Sequence, residues 1–310
     1  MKNERKLGAL VVGSAGQAND LHLRLQLSGS PIQMLGWIGP GGKATASESI
    51  QHLGGFEMAG QALRACFPEH VILGTSDAGV IASVLDCVDA SKAEIWLLPD
   101  YFPPPAGTTP AFERGVGQKL SQAQRFAKRT IDLLVALPLT LLSLPLLSLL
   151  ALSVKLDSAG PAVFKQPRVG EGGRLFGMFK LRTMRADLLD LSGREPKRPD
   201  DHRVTRVGRW LRRTSLDELP QLLNVLRGDL SLVGPRPEVI ANLHRYAGAS
   251  LDRFTVPQGL TGLWQVRGRK QPMYEWVGQD LEYAANWSLW LDAKILLLTP
   301  LAVLRGEGAF

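Results

Sequence analysis

A run of 22 uncharged residues, Leu133 to Val154, restricts the fold of this 310-residue chain more than any other feature of its sequence. As a helix, with a rise of about 1.5 Å per residue, the run is long enough to cross the hydrocarbon core of a bilayer. A soluble helix that is apolar on all sides would need a much larger protein to cover it. The sequence therefore predicts that residues 131–154 form a membrane segment.

Prolines and basic flanks indicate how this segment meets the membrane. Pro138 and Pro145 interrupt the run, and a proline removes a helical hydrogen bond and kinks the helix. Basic residues favour the cytoplasmic side of a membrane. Here they lie on both flanks and include Arg125, Lys128, Arg129, Lys155, Arg168 and Arg174. We therefore expect a re-entrant helix that enters one leaflet, breaks near Pro145 and returns to the cytoplasmic face. A single span is the alternative, because tilted transmembrane helices also tolerate proline.

The sequence before this segment is typical of a small Rossmann-like domain. Short apolar runs alternate with helical patterns, which predicts βαβ units and a parallel sheet over residues 1–104. The runs lie at 8–13, 32–38, 70–74 and 94–98. The glycine-rich stretch after the first run is a degenerate dinucleotide motif, and a tight turn is the simpler interpretation. Residues 105–124 are rich in Pro, Gly, Thr and Gln and are predicted to be a linker. The fold class is therefore α/β, with a second domain over residues 125–310.

The charge balance favours an anionic partner. The chain has 36 Lys and Arg against 29 Asp and Glu, a formal net charge of +7, which suits a membrane surface, a nucleic acid or a phosphorylated substrate. We expect no nucleic-acid partner, because a protein that binds one would not need an apolar run of this length. Cys66 and Cys87 lack the spacing of a zinc site and suggest no disulfide framework, so a reduced, cytoplasmic environment is expected.

Two further segments have the composition of helices that lie on a lipid surface. Arginines recur at every third position from 203 to 212, with Trp210 and aliphatic residues between them. This pattern predicts a basic amphipathic helix on an anionic membrane, with a solvated basic face as the alternative. Near the C-terminus, Trp287 and Trp290 precede an apolar stretch that would be either a second interfacial helix or an ordinary core helix.

An acidic pair, Asp217 and Glu218, lies between clusters of arginine just before Pro220. One interpretation is structural, because Ser215 and Glu218 have the spacing of a helix capping box. Pro220 cannot donate a helical hydrogen bond and biases Leu219 away from the α region, so we expect the chain to break at the pair. Backbone N–H groups and arginines at such a break would bind phosphate, whereas a bare carboxylate pair would repel it.

A divalent cation would resolve this conflict between carboxylates and phosphate. Mg²⁺ binds one or two carboxylates together with phosphate oxygens, so the pair predicts metal-assisted phosphoryl chemistry. Downstream, Arg236 stands between two prolines that fix its backbone, and a guanidinium so placed suits bidentate contact with phosphate.

Four motifs in this order make a resemblance specific: KRTIDLLVALPLTLLSLP, FKLRTM, TSLDELPQLLNVLRGDLSLVGPRPE and GLTGLWQVRGR. Over residues 125–310 the chain resembles the bacterial sugar transferase family of monotopic phosphoglycosyl transferases. The resemblance implies a mostly helical, membrane-associated catalytic domain with a re-entrant helix at the cytoplasmic face of the cytoplasmic membrane. It also implies transfer of a sugar 1-phosphate from a UDP-sugar to undecaprenyl phosphate, with release of UMP. Such a reaction begins the synthesis of exopolysaccharide, capsule, O-antigen or another glycan.

The resemblance assigns roles to individual residues. Asp217 would be the nucleophile that forms a covalent phospho-sugar intermediate and would also hold Mg²⁺. Glu218 would position the metal or accept a proton from the lipid phosphate, and Arg236 would hold phosphate. Weaker candidates for phosphate contact are Lys180, Arg182 and Arg212.

Two further points follow from the family pattern. Pro145 matches the proline that breaks the re-entrant helix, although Leu144 stands where the family commonly has serine. The N-terminal domain would be regulatory or would support homo-oligomers.

An alternative of another class is a nucleotide-sensing or scaffolding protein with an inactive membrane anchor, and the intact acidic pair argues against it.

Overall fold

The computed structural model describes residues 7–27, 32–40, 50–75, 78–88, 93–97, 120–188, 201–246, 248–268, 275 and 277–305. The chain forms two units, Met1–Phe102 with Gly173–Phe176, and Pro103–Gly172 with Gly177–Phe310. Its fold is mixed α/β, with a mainly parallel sheet and a largely helical C-terminal part, which confirms the predicted class.

The first unit contains a parallel sheet in the order β2-β1-β3-β4. Its elements are β1 (Leu7–Val12), α1 (Ala15–Leu27), β2 (Ile32–Ile38), α2 (Ala59–Cys66), β3 (His70–Leu73), α3 (Ala78–Val88) and β4 (Glu94–Leu97). Strand β1 is central, and its side chains from Ala9 to Val12 are fully buried. A buried central strand with helical connections is what the alternating apolar pattern predicts. On the far edge, Arg174 and Leu175 pair antiparallel with β4.

The glycine-rich stretch after β1 is a tight turn, as the simpler interpretation expected. Ser14 and Gln17 cap helix α1 reciprocally: the Ser14 N–H donates to Gln17 Oε1 at 2.8 Å, and the Gln17 N–H donates to Ser14 Oγ at 3.3 Å. Gln17 Nε2 also donates to the Gly74 carbonyl at 2.8 Å. A Cβ on Gly39 would lie 1.8 Å from the Gly13 carbonyl oxygen, so β2 passes too close to the turn for any other residue.

The second unit begins with α4, a helix of 36 residues from Gln122 to Asp157. It is the one helix in the described part of the chain that is long and apolar enough to cross a membrane, judged by length and composition. At about 1.5 Å per residue it would extend for about 54 Å. Most of its leucines are exposed, including Leu137, Leu142 and Leu149, so the protein itself does not cover the apolar surface. This finding fits a membrane-associated protein.

Helix α4 differs from the prediction at both its start and its middle. Ser121 and Gln124 form a capping box that starts the helix inside the predicted linker, so residues 122–124 are helical. The rest of the linker, 105–119, lies outside the described residues, and the predicted domain boundaries stay a prediction. The helix also continues through Pro138 and Pro145, whereas a break near Pro145 was predicted. The re-entrant topology therefore stays a prediction.

The remaining helices and strands follow α4 in the chain. They are β5 (Val163–Val169), β6 (Arg174–Leu181), α5 (Arg206–Thr214), α6 (Gln221–Arg227), β7 (Ser231–Val233), β8 (Gly259–Thr261), α7 (Leu263–Val266), α8 (Val277–Ala285) and α9 (Leu289–Arg305). Strands β7 and β8 pair in parallel. A buried cluster of Leu150, Val154, Leu181 and Leu211 packs the end of α4 against β6 and α5. This packing fixes the place where α5 ends and the acidic pair follows.

The base of α4 is held by buried polar groups. Lys128, which the sequence analysis counted as a basic flank of the membrane segment, is buried, and its ammonium contacts Asp292 at 2.6 Å and the Val233 carbonyl at 2.8 Å. One turn later, Asp132 Oδ1 accepts from the Leu232 N–H at 2.9 Å and Ser231 Oγ at 3.0 Å. Because Lys128 forms a buried ion pair with Asp292, its charge is not evidence that this flank lies on the cytoplasmic side.

Candidate active site

The acidic pair lies in a break between two helices. Helix α5 ends at Thr214, the next residue Ser215 has a left-handed φ of 55°, and residues 216–218 form a single 3-10 turn before α6. The predicted break is confirmed, but two details are corrected. Ser215 makes no side-chain cap, so the capping-box interpretation is wrong. Leu219 has φ −52° and ψ −39°, inside the α region, because the preference against that region before proline is only a bias.

Two cations converge on Glu218. Lys180 on strand β6 donates from Nζ to Glu218 Oε1 at 3.1 Å. Arg236 contacts both carboxylate oxygens: Nη1 donates to Oε2 at 3.2 Å, and Nη2 makes a short hydrogen bond to Oε1. All three side chains are largely buried, with 6%, 16% and 13% exposure for Lys180, Arg236 and Glu218. Such charge-assisted bonds in a partly dehydrated site hold the three groups in fixed positions.

The charge of Asp217 reaches the same cations. Burial lowers the pKa of Lys180, and the negative charges of Glu218 and Asp217 oppose that shift only in part. For Arg236, burial also lowers the pKa, but Glu218 and then Asp217 outweigh it, so the net shift is upward. Burial lowers the pKa of Arg212 as well, with Asp217 as the largest opposing charge. Asp217 therefore lies within electrostatic reach of three of the four predicted phosphate-binding residues.

Arg212 and Arg182 differ in their relation to the pair. The Arg212 Nε donates to Thr183 Oγ1 at 2.9 Å, on the loop that follows β6. The structure does not bring Arg182 to the acidic pair. Its buried guanidinium donates to the carbonyls of Ala159 and, at 2.7 Å, of Ser158. Cations bind favourably to the carbonyl groups at a helix C-terminus, and Arg182 binds in this way at the end of α4.

The predicted arginine strip from 203 to 212 is only partly a helix face. Helix α5 begins at Arg206, and Arg203 precedes it in a buried ion pair with Asp201, with Nη2 and Oδ2 2.6 Å apart. The exposed residues of α5 include Arg206, Arg209, Trp210 and Arg213, which share one face at i, i+3, i+4 and i+7 spacing. An exposed basic face with a tryptophan therefore exists, but it is smaller than predicted and shifted along the chain.

The C-terminal helix α9 combines the two alternatives that the sequence left open. Asp292 and Ile295 are buried, as in a core helix. Trp290, Leu297 and Leu304 are at least three-quarters exposed, as on an interfacial helix.

Sequence reasoning missed the buried cations that hold the backbone around Arg236. Arg168 Nη1 donates to the Pro237 carbonyl at 3.1 Å, and Arg253 Nη2 donates to the Arg236 carbonyl at 2.7 Å. Burial, together with the positive charge of Arg236, lowers the pKa of Arg168 to about 10. Both arginines are distant from Asp217 in sequence and lack a motif of their own. Their sequence surroundings give no signal, because both stand close to other polar or charged residues, such as Lys165 before Arg168 and Asp252 before Arg253.

The carboxylates can be tested for their fit to Mg²⁺. The described residues contain no group of three or more His, Cys, Asp or Glu side chains that could hold a metal ion. Magnesium needs only one or two carboxylates when phosphate oxygens complete its shell, and the adjacent Asp217 and Glu218 supply that number. Both Glu218 oxygens accept hydrogen bonds from cations, and Asp217 is the carboxylate that the family resemblance assigns to the ion.

Comparison with known proteins identifies similar chains. A family model described as bacterial sugar transferase matches residues 123–306. The UDP-glucose:undecaprenyl-phosphate glucose-1-phosphate transferase of Caulobacter vibrioides is 48% identical over 194 residues, which cover 59% of this chain and 72% of that relative. The undecaprenyl-phosphate glucose phosphotransferase of Komagataeibacter xylinus is 43% identical over 203 residues, covering 62% of this chain and 38% of the relative. The undecaprenyl-phosphate galactose phosphotransferase of Salmonella typhimurium is 42% identical over 205 residues, covering 61% and 43%. The chain thus spans less than half the length of two of these three relatives.

Proposed function

Because this chain belongs to the bacterial sugar transferase family, we propose that it transfers a sugar 1-phosphate from a UDP-sugar to undecaprenyl phosphate. The names of its relatives support both the lipid acceptor and a hexose donor, with glucose in two cases and galactose in a third. The reaction would begin the assembly of a glycan on a lipid carrier.

One observation carries this proposal: Lys180 and Arg236 converge on Glu218, directly beside Asp217. The two cations are the groups that a diphosphate donor needs, and the neighbouring aspartate is a carboxylate that can attack phosphorus. These residues belong to the same unit as α4, whose apolar surface is exposed. A phosphate site beside an apolar helix suits a reaction between a water-soluble donor and a lipid acceptor.

In the first step, a carboxylate oxygen of Asp217 attacks the sugar-bearing phosphorus of the donor. The bond from this phosphorus to the bridging oxygen breaks, and UMP leaves with the electron pair. An acyl phosphate linked to the sugar then remains on Asp217. Carboxylates suit this role because they are ionised at neutral pH. Lys180 and Arg236 stabilise the charge on the transferring phosphoryl group.

In the second step, a phosphate oxygen of undecaprenyl phosphate attacks the same phosphorus. The bond from Asp217 to phosphorus breaks, the carboxylate is regenerated, and the sugar leaves on a lipid diphosphate. Glu218 would accept a proton from the incoming phosphate while Lys180 and Arg236 hold the phosphoryl group linked to Asp217. When bound, Mg²⁺ would neutralise phosphate charge beside Asp217.

We propose further that the enzyme acts at the cytoplasmic face of the cytoplasmic membrane. The exposed leucines of α4 support insertion, and the basic face of α5, with Trp210, supports contact with anionic headgroups. Cysteines introduced before Arg125 and after Lys155 should both be labelled from the cytoplasmic side if the helix is re-entrant. Labelling from opposite sides would establish a single span instead.

The test of the activity uses membranes that contain the full chain. They are incubated with undecaprenyl phosphate and each of several UDP-sugars, and UMP is measured. We expect release with at least one hexose donor and none with Asp217→Asn. A matched control is Asp187→Asn, which changes an exposed aspartate that pairs with Arg185 two positions away and should leave release unchanged. Normal release by Asp217→Asn would remove this residue from its role, and the absence of release with every donor would contradict the proposed reaction.

A further inference from the structure

The segment from Val233 to Pro237, called here the Arg236 loop, is held through its carbonyl groups. Three buried cations from three separate parts of the second unit each donate to one carbonyl. The pairs are Lys128 with Val233 at 2.8 Å, Arg253 with Arg236 at 2.7 Å, and Arg168 with Pro237 at 3.1 Å. Buried cations are costly to place, so their convergence on one short loop indicates that its conformation is closely fixed.

Of these cations, Arg253 acts on Arg236 itself. Its side chain is fully buried, and its Nη2 donates to both the Arg236 carbonyl and Asp280 Oδ2, each at 2.7 Å. A second bond, from Nε to the same Asp280 oxygen, measures 3.0 Å. The guanidinium also lies over the rings of Tyr246 and Phe254, at 5.0 and 4.9 Å from their centroids. The group is therefore locked in place and orientation.

The backbone of Arg236 has little other freedom. Pro235 has a fixed φ angle, and Pro237 biases Arg236 towards extended φ and ψ values, which limits the orientations of the peptide group that joins Arg236 to Pro237. The hydrogen bond from Arg253 fixes the carbonyl of that peptide group. The direction in which the Arg236 side chain leaves the backbone is thereby set, and it leads to Glu218.

We propose that Arg253, held by Asp280, is a positioning residue that orients Arg236 towards the phosphate of the donor. The kinetic test of this inference rests on the proposed function, because it measures the transfer reaction. Arg253→Lys would keep the positive charge, but an ammonium group lacks the planar guanidinium geometry that bonds to the Asp280 carboxylate and the Arg236 carbonyl together. A small displacement of a phosphate-binding group is enough to lower a transfer rate by about 100-fold.

The kinetic test is a double-mutant cycle with Arg253→Lys and Arg236→Lys. We expect Arg253→Lys alone to lower kcat/KM for the donor by about 10- to 100-fold, and by less than about threefold when Arg236 is already lysine. Equal losses in both backgrounds would overturn the proposal, because Arg253 would then act independently of Arg236. Arg267→Lys is the matched control, since Arg267 pairs with Glu282 on the same helix as Asp280 but is 45% exposed. It should leave kcat/KM unchanged.

A second measurement separates positioning from folding and from failure of the proposed function. Hydrogen exchange of the peptide that covers residues 231–239 should be faster in Arg253→Lys than in the wild type, while the α4 peptides stay protected. If Arg253→Lys does not fold, Asp280→Asn replaces it in both measurements. Unchanged exchange of this peptide would overturn the inference even if no UDP-sugar proved to be a donor. If the enzyme is active and the effects of Arg253→Lys and Arg236→Lys on kcat/KM are independent, the inference about Arg253 is overturned and the proposed reaction is not.

Discussion

Replacement of Lys180 by methionine tests the phosphate site most specifically, because it removes one charge and keeps the length of the side chain. The ammonium lies 3.1 Å from Glu218 Oε1, and its side chain is 6% exposed. A hydrogen bond from a charged group contributes about 1.5–3 kcal/mol. If Lys180 makes one such bond to the donor phosphate, its loss should lower kcat/KM by about 10- to 150-fold, at about 1.4 kcal/mol per factor of ten.

The effect of Lys180→Met on stability should be much smaller. The attraction between charges 3.1 Å apart is about 5 kcal/mol at an effective dielectric constant of about 20. Burial of the ammonium costs several kcal/mol and offsets most of this attraction. Glu218 also keeps its two hydrogen bonds to Arg236. We therefore expect the melting temperature to fall by only a few degrees.

The assay for Lys180→Met is the initial rate of UMP release at varied donor concentration, with Lys165→Met as the matched control. Lys165 lies on the neighbouring strand β5, and its ammonium stands 5.7 Å from the centroid of the Phe179 ring. The control should keep the wild-type kcat/KM. A Lys180→Met enzyme whose kcat/KM stays within about threefold of the wild type would refute the assignment of Lys180 to the phosphate site.

Three further predictions concern pH, packing and membrane attachment. Because burial lowers the pKa of Lys180 below the ordinary 10.5, its charge is lost at a lower pH than that of an ordinary lysine, so kcat/KM should show an alkaline decline below pH 10.5. Gly208→Ala would place a Cβ 2.1 Å from the Thr183 carbonyl oxygen and should lower the melting temperature, with about 1–3 kcal/mol lost to overpacking. Leu142→Asp, at a position that is 79% exposed on α4, should reduce the fraction that sediments with membranes, because a charge within the bilayer costs about 2.5–3.5 kcal/mol.

Each of these three experiments has its own control. Lys180→Arg should move the alkaline decline to higher pH, and an unmoved profile would assign the decline to another group. Gly278→Ala meets no atom within 4 Å and should not lower the melting temperature, whereas an equal loss in both variants would count against the close approach at Gly208. Phe67→Asp changes an apolar residue of similar exposure, 77%, in the first unit and should leave sedimentation unchanged.

Local patterns predicted much of the fold. The uncharged run at 133–154 and the alternating apolar runs before 104 are properties of neighbouring residues, and both elements appear in the structure. The break at Asp217 and Glu218 follows in the same way from Pro220. Such features were accessible because their physical cause lies within a few positions in sequence.

The roles of individual cations were harder to predict, because their partners are distant in sequence. Lys128 was interpreted as part of a basic flank on the cytoplasmic side of the membrane segment, yet its partner Asp292 is 164 positions away. Arg182 shares the FKLRTM motif with Lys180, but its guanidinium donates to carbonyl groups at the end of α4. A sequence pattern shows where charged residues occur, but it does not show which of them have partners inside the protein. The interior positions of Lys128 and Arg182 therefore required the three-dimensional structure.

The covalent intermediate on Asp217 is the central claim, and intact-mass measurement tests it most directly. The purified enzyme is mixed with its UDP-sugar in the absence of undecaprenyl phosphate, quenched and weighed by mass spectrometry. We predict a gain in intact mass equal to one sugar phosphate, which is lost when the lipid acceptor is added and is never formed by Asp217→Asn. Full turnover in an enzyme that never carries this mass, under conditions that preserve acyl phosphates, would contradict the account.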